Sequence, residues 1–166
     1  MKKLLLLASL TAFVAISCDE DETPKISENP APAAFSNLPP ATIINAETLA
    51  SDITFQWEAA DYGIETKVDY ELQMDRGGNA FADPVVLGLT SETSLSITLG
   101  SLNTKLIDEL GLEPNVESAV EFRIISRVEG SYEAISPVST MAITPYVEVI
   151  ELPEPASLWI PGGYQV

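Results

Sequence analysis

Histidine is absent from the 166 residues of this chain, and only one cysteine is present. Without histidine, the chain lacks the commonest general base, histidine-containing catalytic triads and imidazole metal ligands. A single cysteine excludes zinc ribbons, iron–sulfur clusters and disulfides within the chain. Basic residues are also few, since 8 lysines and arginines stand against 25 acidic residues and give a net charge of −17. We therefore expect no nucleic-acid partner, because phosphates would be repelled rather than neutralised.

Hydrophobic residues make up 46% of the sequence, which is enough for the packed core of one domain with additional tails. No Gly-x-Ser-x-Gly nucleophile elbow occurs, and Gly77-Gly78 is not followed by the lysine of a phosphate-binding loop. With 25 acidic residues, a pair of carboxylates carries almost no information about glycoside hydrolysis. We predict no enzymatic activity, no catalytic residue, no metal site and no cofactor.

The first seventeen residues have the pattern of a signal peptide. Two lysines follow Met1, and the apolar run over residues 4–16 is too short to span a bilayer comfortably as a helix. Small residues then precede Cys18, as in bacterial lipoprotein signals, in which this cysteine is acylated and becomes the first mature residue; the usual leucine three positions earlier is Ala15 here. We expect removal of residues 1–17 and attachment to membrane lipid through Cys18. A plain secretory signal with a chance cysteine is the alternative.

Four acidic residues follow the cysteine directly: Asp19, Glu20, Asp21 and Glu22. Mutual repulsion keeps such a run solvated and extended, so residues 18–32 are predicted to form an acidic tether. The run is similar to the export signals that send lipoproteins of the Bacteroidetes to the outer face of the outer membrane. A tether without a signal is one alternative. Calcium binding is another, although the spacing of an EF-hand loop is missing.

Apolar and polar residues alternate in several segments between residues 33 and 146. The alternation is clear in residues 53–58, 68–75, 95–99 and 120–125, and weaker in residues 138–143. A period of two predicts strands with one buried face, as in antiparallel sheets. Glycine-containing turns follow residue 75 and residue 128. About seven short strands without a cysteine pair predict an all-β, immunoglobulin-like or fibronectin type III-like β-sandwich.

One short helix interrupts the strands and is interpreted as a crossover between the two sheets. Leu102, Leu106 and Leu110 would share its buried face, Asn103 is its predicted N-cap, and Gly111 would end it.

The aromatic residues divide into predicted core and loop positions. Trp57 is in phase with Ile53 and Phe55, which favours a core position over a ligand platform. The predicted core aromatics are Phe55, Trp57, Tyr70 and Phe122. The remaining loop candidates for contact with a sugar are scattered: Tyr62, Phe81 and Tyr132.

The sequence resembles the N-terminal domain of SusE-type lipoproteins, over the signal and roughly residues 33–146. The resemblance is carried by residues 53–57, 70–75, 102–112, 120–124 and 136–146, most distinctively by the leucine-rich helix and the closing Thr144-Pro145-Tyr146. SusE-type proteins are glycan-binding outer-membrane lipoproteins of the starch-utilisation systems of the Bacteroidetes.

The resemblance implies a lipid-anchored protein of the cell surface that takes part in glycan capture and uptake, with this domain as a spacer or docking module. An outer-membrane transporter and its partner lipoprotein are the implied partners. Two alternatives stay open: a generic fibronectin-like adhesion or spacer domain, and a domain that itself binds carbohydrate.

The end of the chain has a different character. Residues 147–157 are acidic and proline-bearing, and are predicted to form a linker. Residues 158–166 resemble the opening strand of the next domain in SusE-type proteins, whose carbohydrate-binding domains lie on that side. We therefore predict the start of a truncated next domain and glycan binding through that missing domain. Trp159 and Tyr164 are the candidate glycan-binding residues. A core position in the next domain is the preferred alternative, and a disordered tail is the other.

Overall fold

The computed structural model describes residues 25–128 and 132–148. Within these residues the helix α1 (Leu99–Thr104) lies between two strands and continues into a π-helical segment, Lys105–Glu109. The strands, in chain order, are β1 (Ala34–Asn37), β2 (Ala41–Ile43), β3 (Asp52–Glu58), β4 (Asp69–Arg76), β5 (Val85–Thr90), β6 (Ser94–Thr98), β7 (Ser118–Val128), β8 (Tyr132–Ile135) and β9 (Ser139–Thr144).

The strands form two sheets. The smaller sheet has the order β1-β3-β6, and the larger has the order β2-β9-β7-β4-β5, with β8 also paired to β7. The short β2 runs parallel to β9, and the other pairs are antiparallel. This arrangement confirms the predicted fibronectin type III-like sandwich. It also confirms the crossover, because α1 connects β6 of the smaller sheet to β7 of the larger one.

The core lies between the two sheets, where the predicted alternation places it. In β3, Ile53, Phe55 and Trp57 are buried and the residues between them are exposed. Phe55 meets Phe122 of β7 with ring centroids 5.3 Å apart, and Trp57 meets Tyr70 of β4 edge-on at 5.6 Å. The predicted burial of these four aromatic residues is therefore confirmed.

The helix begins earlier than predicted. Thr98, still extended, is the N-cap, and its Oγ1 accepts a hydrogen bond of 3.1 Å from the N–H of Ser101. The prediction of Asn103 as N-cap is wrong, because β6 passes into α1 without a loop and Asn103 lies inside the helix. The three leucines predicted to face the core are buried. Gly111 has φ +60, a left-handed conformation that glycine adopts readily, and follows the helical region as predicted.

The chain before β1 already contacts the sandwich. The N–H of Ser27 donates to the carbonyl oxygen of Tyr62 at 2.8 Å, and Ala31 and Asp61 exchange two main-chain hydrogen bonds of 2.9 Å. Ile26 packs against the core. Part of the segment that the sequence assigned to the tether therefore lies against the domain.

The domain has two distinct ends. The N-terminal pole is the end where β3 and β7 finish and where Ser27 meets Tyr62. The C-terminal pole is the opposite end, where β7 begins, β9 ends and α1 lies. The 11 residues of β7 run from one pole to the other, a length of about 35 Å. The chain therefore enters the domain at one pole and leaves it at the other.

Candidate functional surfaces

The site residues predicted from the sequence lie outside the described residues: Cys18, Asp19, Glu20, Asp21, Glu22, Trp159 and Tyr164. The predicted signal over residues 1–17, most of the linker and the segment 158–166 lie outside them as well. The roles of these residues stay predictions. The functional surfaces that the structure does describe are the loop aromatics, a polar network, a pocket and the C-terminal pole.

Two of the three loop aromatics are structural residues. Tyr62 is 1% exposed, and its hydroxyl donates to the carbonyl oxygen of Ser126 in β7 at 2.8 Å. Phe81 is buried beneath Arg123, whose guanidinium carbon lies 4.2 Å from the ring centroid. Their expected availability for sugar contact is therefore wrong, because the Tyr62 hydroxyl is bound to β7 and the Phe81 ring lies under Arg123, each a contact with a residue more than forty positions away. Tyr132, the third, is 38% exposed, but its placement in a loop is wrong, because it is the first residue of β8.

A polar network crosses the outer face of the larger sheet, and we call it the outer-face ladder: Glu133, Arg127, Glu71, Gln73 and Arg123. Arg127 binds Glu71 at 2.7 Å and Glu133 at 2.9 Å. Arg123 Nε donates to the side-chain oxygen of Gln73 at 2.7 Å, and Gln73 Nε2 donates to Glu71. Strand alternation predicts polar residues on this face, but it does not show that they bind one another.

Within the outer-face ladder, the surroundings of Glu71 and Arg127 favour their charged forms. Burial raises the pKa of Glu71, but hydrogen bonds from Arg127 and Gln73 and the nearby arginine charges outweigh it, so the pKa lies below its ordinary value. The hydrogen bond with Glu71 is also the main cause of a raised pKa for Arg127. Much of the ladder's hydrogen-bonding capacity is thus used within the sheet, which favours a structural role.

A polar pocket of about 430 Å³ opens beside the turn between β4 and β5. Asp75, at its base, is 1% exposed, and its carboxylate accepts hydrogen bonds from the Arg76 N–H at 2.7 Å and from Asn79 Nδ2 at 3.0 Å. The Arg76 side chain donates to the carbonyl oxygens of Leu110 and Gly111, so it joins this turn to the end of the helical region. The residues that line the pocket are Asp75, Arg76, Gly77, Gly78, Asn79, Asp83, Glu109 and Leu110.

Two further features can be stated for the described part of the chain. Within residues 25–128 and 132–148, no group of three or more His, Cys, Asp or Glu side chains is arranged to hold a metal ion. No helix in the same residues has the length and apolar character needed to cross a membrane.

The C-terminal pole holds the departing chain through two asparagines, an arrangement we call the exit clamp. Asn103 Nδ2 donates to the carbonyl oxygen of Tyr146 at 2.9 Å, and the Tyr146 N–H donates back to Asn103 Oδ1 at 2.7 Å. The N–H of Asn115 donates to the carbonyl oxygen of Pro145 at 2.7 Å, and its side chain reaches that of Val147 at 3.4 Å. Three successive residues are thus held, which fixes the direction in which the chain leaves.

Similar solved structures are distant in sequence. The fibronectin type III domain of human fibronectin type III domain containing protein 3 is 10% identical, with a TM-score of 0.41 over 75% of this chain and 93% of that one. A computer-redesigned β-sandwich protein is 22% identical, with a TM-score of 0.35 over 74% and 95%. A structure of titin kinase and its flanking domains is 12% identical, with a TM-score of 0.34 over 70% and 17%. No curated protein sequence matches the chain.

A family model gives the stronger relationship. The model described as SusE outer membrane protein matches residues 20–125, more than half of the 166-residue chain. The match runs from the acidic segment to β7, and it includes the leucine-rich helix on which the resemblance in the sequence depends. It confirms that resemblance: the chain belongs to the SusE outer membrane protein family.

Proposed function

We propose that this chain is a surface-tethered lipoprotein of a glycan capture and uptake system, in which the sandwich acts as a spacer. The observation that carries the proposal is the polarity of the domain, because the chain enters at the N-terminal pole and leaves at the C-terminal pole. The domain thereby adds about 35 Å between the membrane side and whatever follows. Membership of the SusE outer membrane protein family supports this setting.

The membrane side of the spacer would be Cys18, acylated after removal of residues 1–17. Among the described residues, Ile26 already packs against the sandwich, so at most about 29 Å of extended chain separates the lipid from the domain. One acyl chain gives only marginal membrane binding, so firm anchoring needs at least two. Residues 19–22 would act as the export signal within this short segment.

Fractionation of cells that produce the whole chain tests anchoring and export separately. We expect Cys18→Ala to release the protein from the outer membrane or to leave its signal uncleaved. Neutralisation of residues 19–22 to Asn and Gln should retain membrane attachment but remove protease accessibility at the cell surface. Wild-type fractionation of Cys18→Ala would contradict the anchor, and wild-type accessibility of the neutralised variant would contradict the export signal.

Glycan would be bound beyond the C-terminal pole, through Trp159 and Tyr164 or through the domain that they open. Most aromatic rings of the sandwich are buried, and a sugar site needs an accessible ring with preorganised polar groups around it. Calorimetric titration of residues 19–166 with maltooligosaccharides should therefore give weak or no binding. A chain extended through a complete next domain should bind saturably. Tight binding by residues 19–166 that survives Trp159→Ala would contradict this assignment.

Direct glycan binding by the sandwich is a second candidate, favoured by the polar pocket beside the β4–β5 turn. The pocket has carboxylate and amide groups of the kind that bind sugar hydroxyls, and Asp83 lines it with an exposed side chain. If this pocket binds glycan, Asp83→Ala should remove the calorimetric signal. The matched change Asp69→Ala, at an exposed carboxylate of β4 outside this pocket, should leave the signal unchanged.

The partners we propose are an outer-membrane transporter and its partner lipoprotein, and we propose no enzymatic role. Support for a non-catalytic role comes from the family and from Asp75, the buried carboxylate of the pocket, whose two oxygens both bind Asn79. Crosslinking on intact cells, followed by purification of the chain, should recover a TonB-dependent transporter. Its absence under conditions that retain the lipoprotein at the surface would favour a generic fibronectin-like spacer.

A further inference from the structure

β5 is the outermost strand of the larger sheet, and among the described residues only β4 pairs with it. It has 6 residues, whereas the other strands at sheet edges, β1, β2, β6 and β8, have 4, 3, 5 and 4. Every second residue of an edge strand directs its main-chain N–H and C=O away from the sheet, where another strand can bind them. β5 is thus the longest edge of this kind in the described part of the chain.

Two exposed apolar side chains of β5 lie on the outer face of the larger sheet. Val86 pairs with Gln73 of the outer-face ladder, and Leu89 pairs with another residue of the same ladder. The two are three positions apart and still share a face, because the irregular pairing leaves Leu87 as an extra residue between them. Val86 is 40% exposed, and Leu89, at 71%, has the highest exposed fraction among the large apolar side chains of the described residues. A strand added to β5 would therefore meet apolar surface on this face.

The sequence of β5 contains few of the features by which folded proteins block the addition of a strand. Charged side chains, proline within the strand and bulges are the common ones. β5 has no charge and no proline, since its residues are Val-Val-Leu-Gly-Leu-Thr, and it has a single bulge at Leu87. An uncharged, largely apolar edge of this length is suited to pair with another strand.

The charges at the two ends of β5 favour one kind of partner. Asp83 precedes the strand and Glu92 follows it, and both side chains are exposed. Within residues 25–128 and 132–148 neither forms an ion pair, whereas Arg127 is held by two carboxylates of the outer-face ladder. Antiparallel pairing with β5 of a second copy, in full overlap, would set Asp83 of each copy against Glu92 of the other. Like charges repel there, whereas a strand with a basic residue at each end is attracted.

We propose that β5 is a strand-addition site for an extended segment of another protein, with apolar side chains at alternate positions and a lysine or arginine at each end. The main chain of the segment would bind the free N–H and C=O groups of β5, and its apolar side chains would cover Val86 and Leu89. Its basic ends would meet Asp83 and Glu92. A cavity of about 350 Å³ lined by Leu89 and Tyr70 gives room for one side chain of the segment.

The position of β5 lets this site act beside the spacer role. β4 pairs with β7 along its whole length and β5 pairs with β4, so an added strand lies along the side of the sandwich, between the two poles. The entering and the departing chain both stay free. The site requires neither glycan binding nor lipidation, so it can fail while the proposed function holds.

Peptide binding to residues 19–166 tests the proposal. Main-chain hydrogen bonds supply the affinity in strand addition, so a generic strand is a sufficient probe. The probe is a fluorescent peptide that alternates valine and threonine with a lysine at each end, and the control peptide has a glutamate at each end. Fluorescence anisotropy should show saturable binding of the lysine peptide and roughly tenfold weaker binding of the glutamate peptide. Absence of saturable binding, or equal binding of the two peptides, would overturn the proposal.

Charge reversal locates the binding. Asp83→Lys combined with Glu92→Lys should exchange the preference, so that the glutamate peptide binds more tightly than the lysine peptide. The matched control, Glu47→Lys combined with Glu113→Lys, changes the net charge equally at exposed positions in loops that do not adjoin β5 along the chain. It should keep the preference of the unaltered chain. Equal effects of the two double variants would assign the attraction to net charge and overturn the proposal.

Hydrogen exchange identifies the strand that the peptide pairs with. The bound lysine peptide should slow exchange of main-chain N–H groups in residues 85–90 several-fold and leave β6, an edge strand of the smaller sheet, unchanged. Binding without this protection would overturn the proposal. Sedimentation of the chain without peptide should give the mass of a monomer. A dimer in which exchange is already slow in residues 85–90 would assign the edge to a second copy, which is also a contrary result.

Discussion

The tryptophan between the two sheets contributes two opposing terms to stability. Trp57 is 3% exposed and packs edge-on against Tyr70 with ring centroids 5.6 Å apart. Its Nε1 has no hydrogen-bond partner among the described residues. Loss of a buried aromatic ring costs about 3–5 kcal/mol. A buried polar N–H without a partner carries an opposite, destabilising term of about 1–3 kcal/mol.

These terms separate in two substitutions at the same position. Trp57→Ala should lower the free energy of unfolding by about 3–5 kcal/mol, because ring volume and packing are lost together. For a domain of this size, that corresponds to a fall in Tm of about 12–20 °C, at about 4 °C per kcal/mol. Trp57→Phe should cost less than about 1.5 kcal/mol, because an apolar ring remains while the unpartnered N–H is removed.

Differential scanning calorimetry and urea unfolding of residues 19–166 measure both effects. Leu89→Ala is the control, since this side chain is 71% exposed and its removal should change the free energy of unfolding by less than about 0.5 kcal/mol. If Trp57→Phe destabilises as much as Trp57→Ala, the reasoning is refuted. The indole N–H would then contribute to stability in the folded domain.

Three further predictions concern polar contacts of the sandwich. Tyr62→Phe should lower the free energy of unfolding by about 1–2 kcal/mol, because the hydrogen bond from the Tyr62 hydroxyl to β7 is lost. The control Tyr132→Phe, at an exposed tyrosine, should have little effect, and urea unfolding measures both variants. Because the pKa of Glu71 is lower in the folded state, its stabilisation is present above the ordinary value of 4.5 and is lost as pH falls below it. Glu71→Gln should therefore lose less stability than the unaltered chain in acid unfolding; parallel curves would contradict this. Asn103→Ala should lower the free energy of unfolding by about 1–3 kcal/mol and should speed hydrogen exchange at the Tyr146 amide. Unchanged exchange at that amide would show that the exit clamp does not hold the chain.

The strands that the sequence pattern predicts differ from the strands that it misses in the regularity and the sequence distance of their pairing. β3 follows a period of two without interruption, because one of its faces meets the core and the other meets water. β5 was not predicted as a strand, since its pairing with β4 is irregular. The irregularity lies near Gln73, where Leu87 is displaced from the regular register. β2 has only three residues and depends on β9, nearly one hundred positions later, for its pairing.

The contacts of the candidate surfaces were harder to predict from the sequence than the strands were. Asn103 has the residue type of a helix cap, and sequence reasoning gave it that role. The chain already had a cap in Thr98, which left the amide of Asn103 to hold Tyr146. Nothing in the residues next to Asn103 indicates that contact. A search for side-chain amides that match the main-chain groups of a departing strand requires the positions of both.

The residue pattern alone predicts the sandwich, the burial of Phe55, Trp57, Tyr70 and Phe122, the leucine face of the helix and the relation to the SusE outer membrane protein family. These properties depend on residue types at short, regular spacings, which neighbouring positions encode directly. The partners of Tyr62, Asn103 and Glu71, which lie 64, 43 and 56 positions away, follow from the packing of the whole domain. Such contacts form only when the two sheets pack and bring distant segments together, so no local pattern in the chain specifies them.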